Sequence, residues 1–261
     1  MTLKYKRLTK MNRAEISRST KESSKEWIEK FPKVAAMERD PRGLPIPANV
    51  SRDSKNGKPI FAITNPIQEI ELFCSQKCAV TGTLLNVEDV WFITTPDLAF
   101  VPFGLLLDAP MCGEAKDFTL RVCPYFGVRN YDRLSDTQAK AMAPKLSDAS
   151  SGKRYETPAE FVAVKVTGFQ GEPTAEGMRY LPSRHYASIE FWEERSCLRV
   201  IDGQGVRAEI AQGLEKASTI CPPAQWPSWA TMSLDGSLNG RWPWTQPEMK
   251  ELLLQEARKF A

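Results

Sequence analysis

Histidine is almost absent from this chain, because His185 is the single copy in 261 residues. One imidazole excludes histidine-rich metal sites, two-histidine nuclease centres and phosphoesterases with paired histidines. A cysteine–histidine or serine–histidine pair would need a nucleophile beside His185, and the surrounding PSRHYAS segment offers no recognisable one. We therefore expect a structural role for His185 and predict no catalytic residue.

The chain also lacks a large charge excess and any long apolar run. Its 35 basic and 32 acidic side chains leave a formal net charge of +3, too little for wrapping nucleic acid over the whole surface. No run approaches the roughly 18 apolar residues of a membrane span, and no apolar stretch follows the basic N-terminus as in a signal peptide. These absences predict a cytoplasmic protein without a membrane partner.

Six cysteines are too few for a disulfide scaffold in a chain of this length. In a reducing compartment they should be thiols or metal ligands. Four of them are Cys74, Cys78, Cys112 and Cys123, with three, thirty-three and ten residues between successive members. This spacing fits no common zinc pattern, so a zinc site and cysteines packed in a core as small hydrophobic residues both stay open.

The order of predicted elements around these cysteines favours a zinc-type unit. A short helix capped by Asn65-Pro66 should end at Cys74, and Cys78 should lie in the turn that follows. The segments DVWFITT and LAFVPF predict two strands of a hairpin, and a helix should begin near Cys112 and end at Pro124.

A knuckle, a hairpin and a helix in this order are the parts of a treble-clef-like site. Tetrahedral zinc needs four ligands at about 2.0 to 2.3 Å, and a helix start can supply two of them. The hypothesis names Cys74, Cys78, Cys112 and Cys123 as metal ligands and one structural zinc as the cofactor. The alternative is no cofactor.

Three segments, KCAVTGTLL, APMCGEAKDFTLRVCPYFG and SIEFWEE, resemble a group of uncharacterised phage and actinobacterial proteins. That group has a Cys-x2-Cys-Gly knuckle, a His-x2-Cys helix start and a downstream Cys-Pro-Phe or Cys-Pro-Tyr motif. The resemblance covers roughly residues 40–220. It implies a phage or mobile-element accessory protein and brings no established activity.

This chain keeps only part of the group's ligand pattern. The knuckle cysteines fall on Cys78 and Thr81, and the helix-start ligands fall on Cys112 and Ala115, so two positions cannot hold zinc in the usual way. Either the metal site has decayed, or Cys74 and Cys123 replace the lost ligands. Cys112 and Cys123 would lie roughly 16 Å apart along one helix, so decay is the preferred interpretation.

Basic residues are concentrated at the N-terminus. Residues 1–33 hold ten bases and four acids, a net charge of +6 that leaves −3 for the remainder. We predict a basic arm with a helix from about residue 14 to residue 29. Lys4, Lys6, Arg7, Lys10 and Arg13 could contact phosphates of a nucleic acid, whereas the alternative is a solvated terminus without a partner.

The rest of the chain predicts an α+β protein with small mixed or antiparallel sheets. The expected organisation after the arm is a knuckle-hairpin-helix domain at 34–130, a linker-like segment at 131–160 and an α+β portion at 161–261. Strands are predicted in FVAVKVTGF, GMRYLP and YASIEFWEE, and a helix is predicted in GQGVRAEIAQGLEKAST. The glycines before that helix do not form a phosphate-binding loop motif.

A tryptophan- and proline-rich tail precedes a predicted final helix that starts after Thr245. Trp242 and Trp244 could bind a partner, since tryptophan is enriched at interaction hot spots, or they could pack on the protein's own core. We expect a protein that binds a macromolecule, either a host protein of defence or metabolism that it inhibits or a phage protein. The alternatives are a nucleic-acid-binding protein and a degenerate treble-clef-type nuclease.

Overall fold

The described part of the protein consists of residues 13–127, 160–174 and 177–245, with residues 251, 253 and 255, in a computed structural model. It contains eight strands. They are β1 (Val50–Arg52), β2 (Pro59–Thr64), β3 (Trp91–Thr94), β4 (Phe161–Lys165), β5 (Phe169–Thr174), β6 (Gly177–Pro182), β7 (Ser188–Glu193) and β8 (Ser196–Asp202).

Four of these strands form the central antiparallel sheet, in the order β3-β4-β7-β8. Ile93 of β3 lies opposite Ala163 of β4, and Ala163 lies opposite Glu190 of β7. Strand β3 belongs to the predicted domain 34–130, and the other three belong to the portion 161–261. The sheet and the hydrophobic core beneath it therefore extend across both segments.

Helices cover both faces of this sheet. They are α1 (Arg13–Ile28), α2 (Pro32–Ala35), α3 (Pro66–Cys74), α4 (Pro96–Phe100), α5 (Gly113–Val122), α6 (Pro124–Gly127), α7 (Gln204–Ile220) and α8 (Trp229–Leu234). On one face Lys116 of α5 contacts Glu190, and on the other Phe100 of α4 contacts Phe191. Neighbouring residues of a strand point to opposite faces, so α5 and α4 lie on opposite sides.

Close packing of α7 on α4 requires a glycine. A Cβ atom added at Gly213 would lie 2.4 Å from the Cβ of Phe100. Real Cβ atoms do not approach other carbon atoms this closely, so a larger residue would push the two helices apart. Helix α7 also contacts the edge strand β8.

Two smaller sheets, β1-β2 and β5-β6, extend the core beyond the central sheet. Helix α3 packs against β6. Asn65 caps this helix, because its side-chain oxygen accepts hydrogen bonds from the backbone amides of Ile67 and Gln68. The predicted Asn65-Pro66 helix start is thus observed.

A buried arginine holds the turn after α4. Arg184 is almost fully buried, and its guanidinium group donates hydrogen bonds to the carbonyl oxygens of Leu98, Val101 and Gly104. Helix α4 ends at Phe100, so no further helical turn supplies amide donors to this segment. Of these three carbonyls, only that of Val101 accepts a backbone hydrogen bond within the described residues, from the Gly104 amide at 3.1 Å. Arg184 therefore supplies additional donors to the carbonyls of this turn.

A buried ion pair connects α5 to the central sheet. The Lys116 ammonium lies 2.6 and 2.7 Å from the two carboxylate oxygens of Glu190, and it lies 4.3 Å from the ring centroid of Trp91. The side chains of Lys116 and Glu190 are 4% and 13% exposed. Trp192 donates a further hydrogen bond to Glu190 at 2.9 Å. Four side chains from α5, β3 and β7 thus form one polar and aromatic cluster.

The predicted α+β class is confirmed. Helices predicted near residues 14–29, after Asn65-Pro66, after Cys112 and after residue 203 are all present. The linker-like segment 131–160 and the final helix fall almost entirely outside the described residues. Strands β1, β5 and β8 were not predicted.

The predicted hairpin between the knuckle and α5 is wrong. DVWFITT contains β3, but LAFVPF does not form its partner strand, because Pro96–Phe100 is helix α4. Proline at the first helical position and Thr95 before it favour this helix start. Strand β3 pairs instead with β4, although residues 95–160, 66 in all, separate the two strands in the sequence. Within the described helices, none is long and apolar enough to cross a membrane.

We expect Lys116→Met to lower the free energy of unfolding by about 3 to 5 kcal/mol, because the Glu190 carboxylate would stay buried without its ion partner. The double variant Lys116→Met/Glu190→Gln should recover more than half of this loss. Urea unfolding measures both values. Arg52→Met, at the exposed pair with Glu38, is the control and should cost less than about 1 kcal/mol. A similarly small loss for Lys116→Met would contradict the assigned role.

Candidate functional site

Residues 76–85 form a tight knuckle around Cys78. The Cys78 amide donates to the Thr83 carbonyl at 2.8 Å, and the Gly82 amide donates to the Cys78 carbonyl at 2.8 Å. Gly82 has a φ of +69°, a left-handed conformation that favours glycine. The turn therefore depends on the Thr81-Gly82 pair that the sequence places after Cys78.

The start of α5 lies directly against this knuckle. The Ala79 amide donates to the Pro110 carbonyl at 3.1 Å, and Cys112 is the N-cap residue of α5. Asp89 fixes the helix start from the other side, since its carboxylate accepts hydrogen bonds from the Gly113 amide at 3.0 Å and the Trp91 indole at 2.8 Å. This arrangement brings Cys78 and Cys112 to the same residue, since the Thr81 amide lies 3.4 Å from the Cys78 sulfur and the Thr81 hydroxyl lies 4.0 Å from the Cys112 sulfur.

The two sulfurs have opposite acid–base properties. Burial alone would raise the pKa of Cys78, but hydrogen bonds from the thiol and amide of Cys112 and from the hydroxyl and amide of Thr81 lower that pKa to about 6. The Thr81 amide lies 3.4 Å from the Cys78 sulfur. The hydrogen bond to Cys78, together with burial, raises the pKa of the Cys112 thiol well above its ordinary value. These hydrogen bonds favour the charged form of Cys78, whereas the raised pKa of Cys112 favours its protonated form.

The residues at this site do not fit a structural zinc ion. The four positions that correspond to the treble-clef ligands hold Cys78, Thr81, Cys112 and Ala115. The Thr81 hydroxyl lies 4.0 Å from the Cys112 sulfur, and the methyl group of Ala115 has no atom that can bind a metal. Zinc sites of this type use four cysteine or histidine ligands.

The structure does not gather the other two cysteines at this site. Cys123 lies at the far end of α5 from Cys112, and Cys74 lies at the end of α3 near the hydroxyl of Tyr180. Across the described ranges, no group of three or more histidine, cysteine, aspartate or glutamate side chains could hold a metal ion. Cys74, Cys78, Cys112 and Cys123 thus do not form one set of ligands.

The two tryptophans predicted to bind a partner lie together on the core. The rings of Trp242 and Trp244 stack with centroids 5.5 Å apart, and both contact Phe169, at 5.9 and 5.4 Å. Both side chains are half-buried. This packing supports the interpretation of the tail as a segment that covers the protein's own core. Lys4, Lys6, Arg7 and Lys10 lie outside the described residues, and Arg13 begins α1.

A buried carboxylate lies at the edge of the same aromatic core. Tyr180 donates a hydrogen bond to Glu69 at 2.8 Å, and Tyr180 also contacts Phe73 and Phe169. Burial raises the pKa of Glu69 to about 7, although the hydrogen bond from Tyr180 acts in the opposite direction. Glu69 is therefore partly protonated at neutral pH.

His185 takes no part in either cluster. Its Nε2 atom lies 2.8 Å from the carbonyl oxygen of Leu234, and its Nδ1 atom lies 3.4 Å from the side-chain amide of Asn239. These contacts link the segment before β7 to the end of α8. The expected structural role of His185 agrees with this position.

The strand β8 presents an apolar surface that sequence reasoning missed. Leu198 and Val200 are 60% and 55% exposed, and within the described residues no strand pairs with the outer edge of β8. The register of β7 and β8 shifts between Phe191 and Trp192, which leaves Leu198 without an opposite residue. The segment CLRVI could have been predicted as a strand, because β-branched and apolar residues favour strands.

Comparison with known proteins adds no relative. No protein-family model, no curated protein and no solved structure matches this chain. The resemblance to the phage and actinobacterial group stays a prediction. Function must therefore be inferred from the residues of this protein.

We expect one cysteine thiolate to form in the folded protein with a midpoint near pH 6, because the hydrogen bonds to Cys78 favour its charged form. Thiolate absorbance near 240 nm, followed from pH 4 to pH 9, measures this transition. It should disappear in Cys78→Ser and persist in the control Cys197→Ser. Absence of any thiolate below pH 8 in the wild-type protein would contradict the assignment.

We expect Glu69→Gln to stabilise the protein at pH 8 by about 2 to 4 kcal/mol. The pKa of Glu69 is raised, so its contribution to stability is complete below about pH 4.5 and is lost as the pH rises through 7. The gain from Glu69→Gln should therefore shrink towards zero at pH 4.5. Urea unfolding at both pH values tests this, with Glu71→Gln on the exposed side of α3 as the control. A gain that is independent of pH would refute the explanation.

Proposed function

We propose that this protein acts without catalysis, by binding another protein through the edge strand β8. The observation that supports this most is the pair of exposed apolar side chains, Leu198 and Val200, on an edge strand whose outer backbone groups have no strand partner among the described residues. Exposed apolar side chains and the unpaired backbone groups of an edge strand promote non-specific association unless a partner covers them. A specific partner would bury the apolar side chains and pair the backbone groups.

The partner that suits this surface is an extended segment of another protein. Such a segment can add a strand beside Arg199–Asp202, where the register with β7 is regular. Its own apolar side chains would cover Leu198 and Val200. The Arg199 side chain, which forms an ion pair with Glu209 at 2.6 Å, would lie at the polar rim of the interface.

A second copy of this chain is a poorer partner for β8. If β8 strands of two copies paired antiparallel over their full length, Arg199 of one copy would lie opposite Arg199 of the other. Like charges directly opposite each other destabilise a strand pair. The register shift at Leu198 also interrupts regular pairing at one end of the strand. Both features favour a different protein as the occupant.

Nucleic acid receives less support from the described residues. Residues 13–33 hold six bases and four acids, so helix α1 contributes much less net charge than residues 1–12, which hold four bases and no acid. On α1 the exposed bases Arg18, Lys21 and Lys25 lie beside the exposed acids Glu22 and Glu26. Such a mixed surface attracts phosphates weakly. A metal-dependent nuclease would also need a set of metal ligands, and the described ranges hold no group of three side chains that could bind a metal ion.

The biological setting of this proposal comes from the sequence resemblance. A phage or mobile-element accessory protein that binds a host protein would act as an inhibitor of host defence or metabolism. Such an inhibitor needs a stable scaffold and one exposed recognition surface. The buried core and the exposed strand β8 would supply these two parts.

We expect Leu198→Asp/Val200→Asp to weaken partner binding by at least about 100-fold, because each of the two apolar side chains buried in the interface contributes about 1.5 to 3 kcal/mol. The full chain serves as bait, a photo-crosslinking residue at position 200 identifies the covalently captured partner, and titration calorimetry measures the Kd. Ile220→Asp is the matched control, since Ile220 is exposed but lies at the end of α7.

Three results would overturn the proposal. One is equal loss of affinity for Ile220→Asp and for the double variant, which would indicate a general solubility effect. Another is dimerisation of the wild-type protein that the double variant abolishes. The third is metal-dependent cleavage of DNA or RNA by the pure protein, which would make the nuclease the better interpretation.

A further inference from the structure

The knuckle and the start of α5 hold two sulfur atoms from distant parts of the sequence against each other. Thirty-three residues separate Cys78 from Cys112. Their backbones are nevertheless fixed side by side by the hydrogen bond from Ala79 to Pro110 at 3.1 Å. Thr81 contacts both sulfurs, because its amide lies 3.4 Å from the Cys78 sulfur and its hydroxyl lies 4.0 Å from the Cys112 sulfur.

We propose that Cys78 and Cys112 form a reversible intramolecular disulfide when the protein meets a small peroxide. The bond would link the knuckle to the helix start, which is the connection that a metal ion would provide in a complete four-ligand site. This inference is independent of the proposed binding function, since Leu198 and Val200 take no part in it.

The reaction needs only the two thiols and one hydrogen peroxide molecule. The Cys78 sulfur attacks one peroxide oxygen, so an S–O bond forms while the O–O bond breaks, and the leaving hydroxide takes up a proton to become water. The Cys112 sulfur then attacks the Cys78 sulfur. The S–S bond forms, the S–O bond breaks, and the Cys112 proton leaves with the hydroxide as a second water. Two thiols are oxidised by two electrons and one peroxide is reduced to two water molecules.

The hydrogen-bond donors around Cys78 identify its sulfur as the nucleophile in the first step. The Thr81 amide donates to the Cys78 sulfur at 3.4 Å, whereas the contact between the Thr81 hydroxyl and the Cys112 sulfur is longer, at 4.0 Å. Groups that donate to a sulfur stabilise its thiolate, which is the nucleophile in this chemistry. Cys112 keeps its proton until the second step and is the resolving residue.

Burial selects the size of the oxidant. Cys78 and Cys112 are 0% and 1% exposed, whereas Thr81, which contacts both sulfurs, is partly exposed. Hydrogen peroxide is close to water in size and hydrogen-bonding ability, so it can reach the sulfurs through a small movement of Thr81. Oxidised glutathione is too large for this path. We therefore expect peroxide to form the bond much faster than glutathione disulfide does.

The test is disulfide mapping of the native full chain after treatment with one equivalent of hydrogen peroxide. Trypsin leaves both cysteines on one peptide, residues 78–116, because no lysine or arginine lies between Lys77 and Lys116. A second cleavage after Glu88 and Glu114 separates them into 78–88 and 89–114. These two fragments should be recovered as one linked species, and a thiol reductant should release them.

Two further measurements follow the consequences of the bond. The free thiols counted after unfolding should fall from six to four, and the melting temperature should rise by about 5 to 10 °C, because the bond constrains the unfolded chain. In Cys112→Ala the oxidised Cys78 should be trapped by dimedone as a sulfenic acid. The control Cys197→Ser should behave like the wild-type protein.

Mapping of the wild-type protein decides the proposal even if a cysteine variant fails to fold. Unlinked fragments 78–88 and 89–114, with Cys197 or Cys221 oxidised instead, would overturn it. A bond between Cys78 and Cys74 would also overturn it. Equal rates with hydrogen peroxide and glutathione disulfide would refute the assignment of the oxidant.

Discussion

The ion pair between Lys116 and Glu190 is the constraint on which the arrangement of this protein depends. A lysine and a glutamate that are nearly buried remain charged only where each has partners, and here Trp91, Trp192 and Asp117 complete the cluster. Because these groups come from α5, β3 and β7, the helix can occupy only one position on the sheet. An apolar contact of the same area would allow the helix to slide.

The position of α5 determines in turn which groups lie against the knuckle. Its N-terminus faces Cys78, and Asp89 holds the Gly113 amide so that Cys112 stays at the N-cap. Cys78 and Cys112 therefore lie on either side of Thr81, and neither Thr81 nor Ala115 can complete a zinc site with them.

The proposed functions are separated in space as well as in chemistry. The knuckle lies at the start of α5, whereas the proposed binding strand β8 is the outermost strand of the central sheet. Both depend on that sheet, since β7 supplies Glu190 to one and the backbone partner of β8 to the other. A change in the sheet would affect both, but a substitution at either surface should leave the other intact.

Local patterns in the sequence determined the helices and the turn around Cys78, because caps, prolines and glycines act over a few residues. Asn65-Pro66 started α3, Gly82 shaped the knuckle, and the apolar spacing after residue 203 identified α7. Only the tertiary structure decided that β3 would pair with β4 rather than with its neighbour, and which two cysteines would lie on either side of Thr81. The tertiary structure also determined that Lys116 forms an ion pair with Glu190, which is seventy-four positions away in the sequence. Contacts between distant residues depend on how the whole core packs, so a local sequence pattern does not predict them.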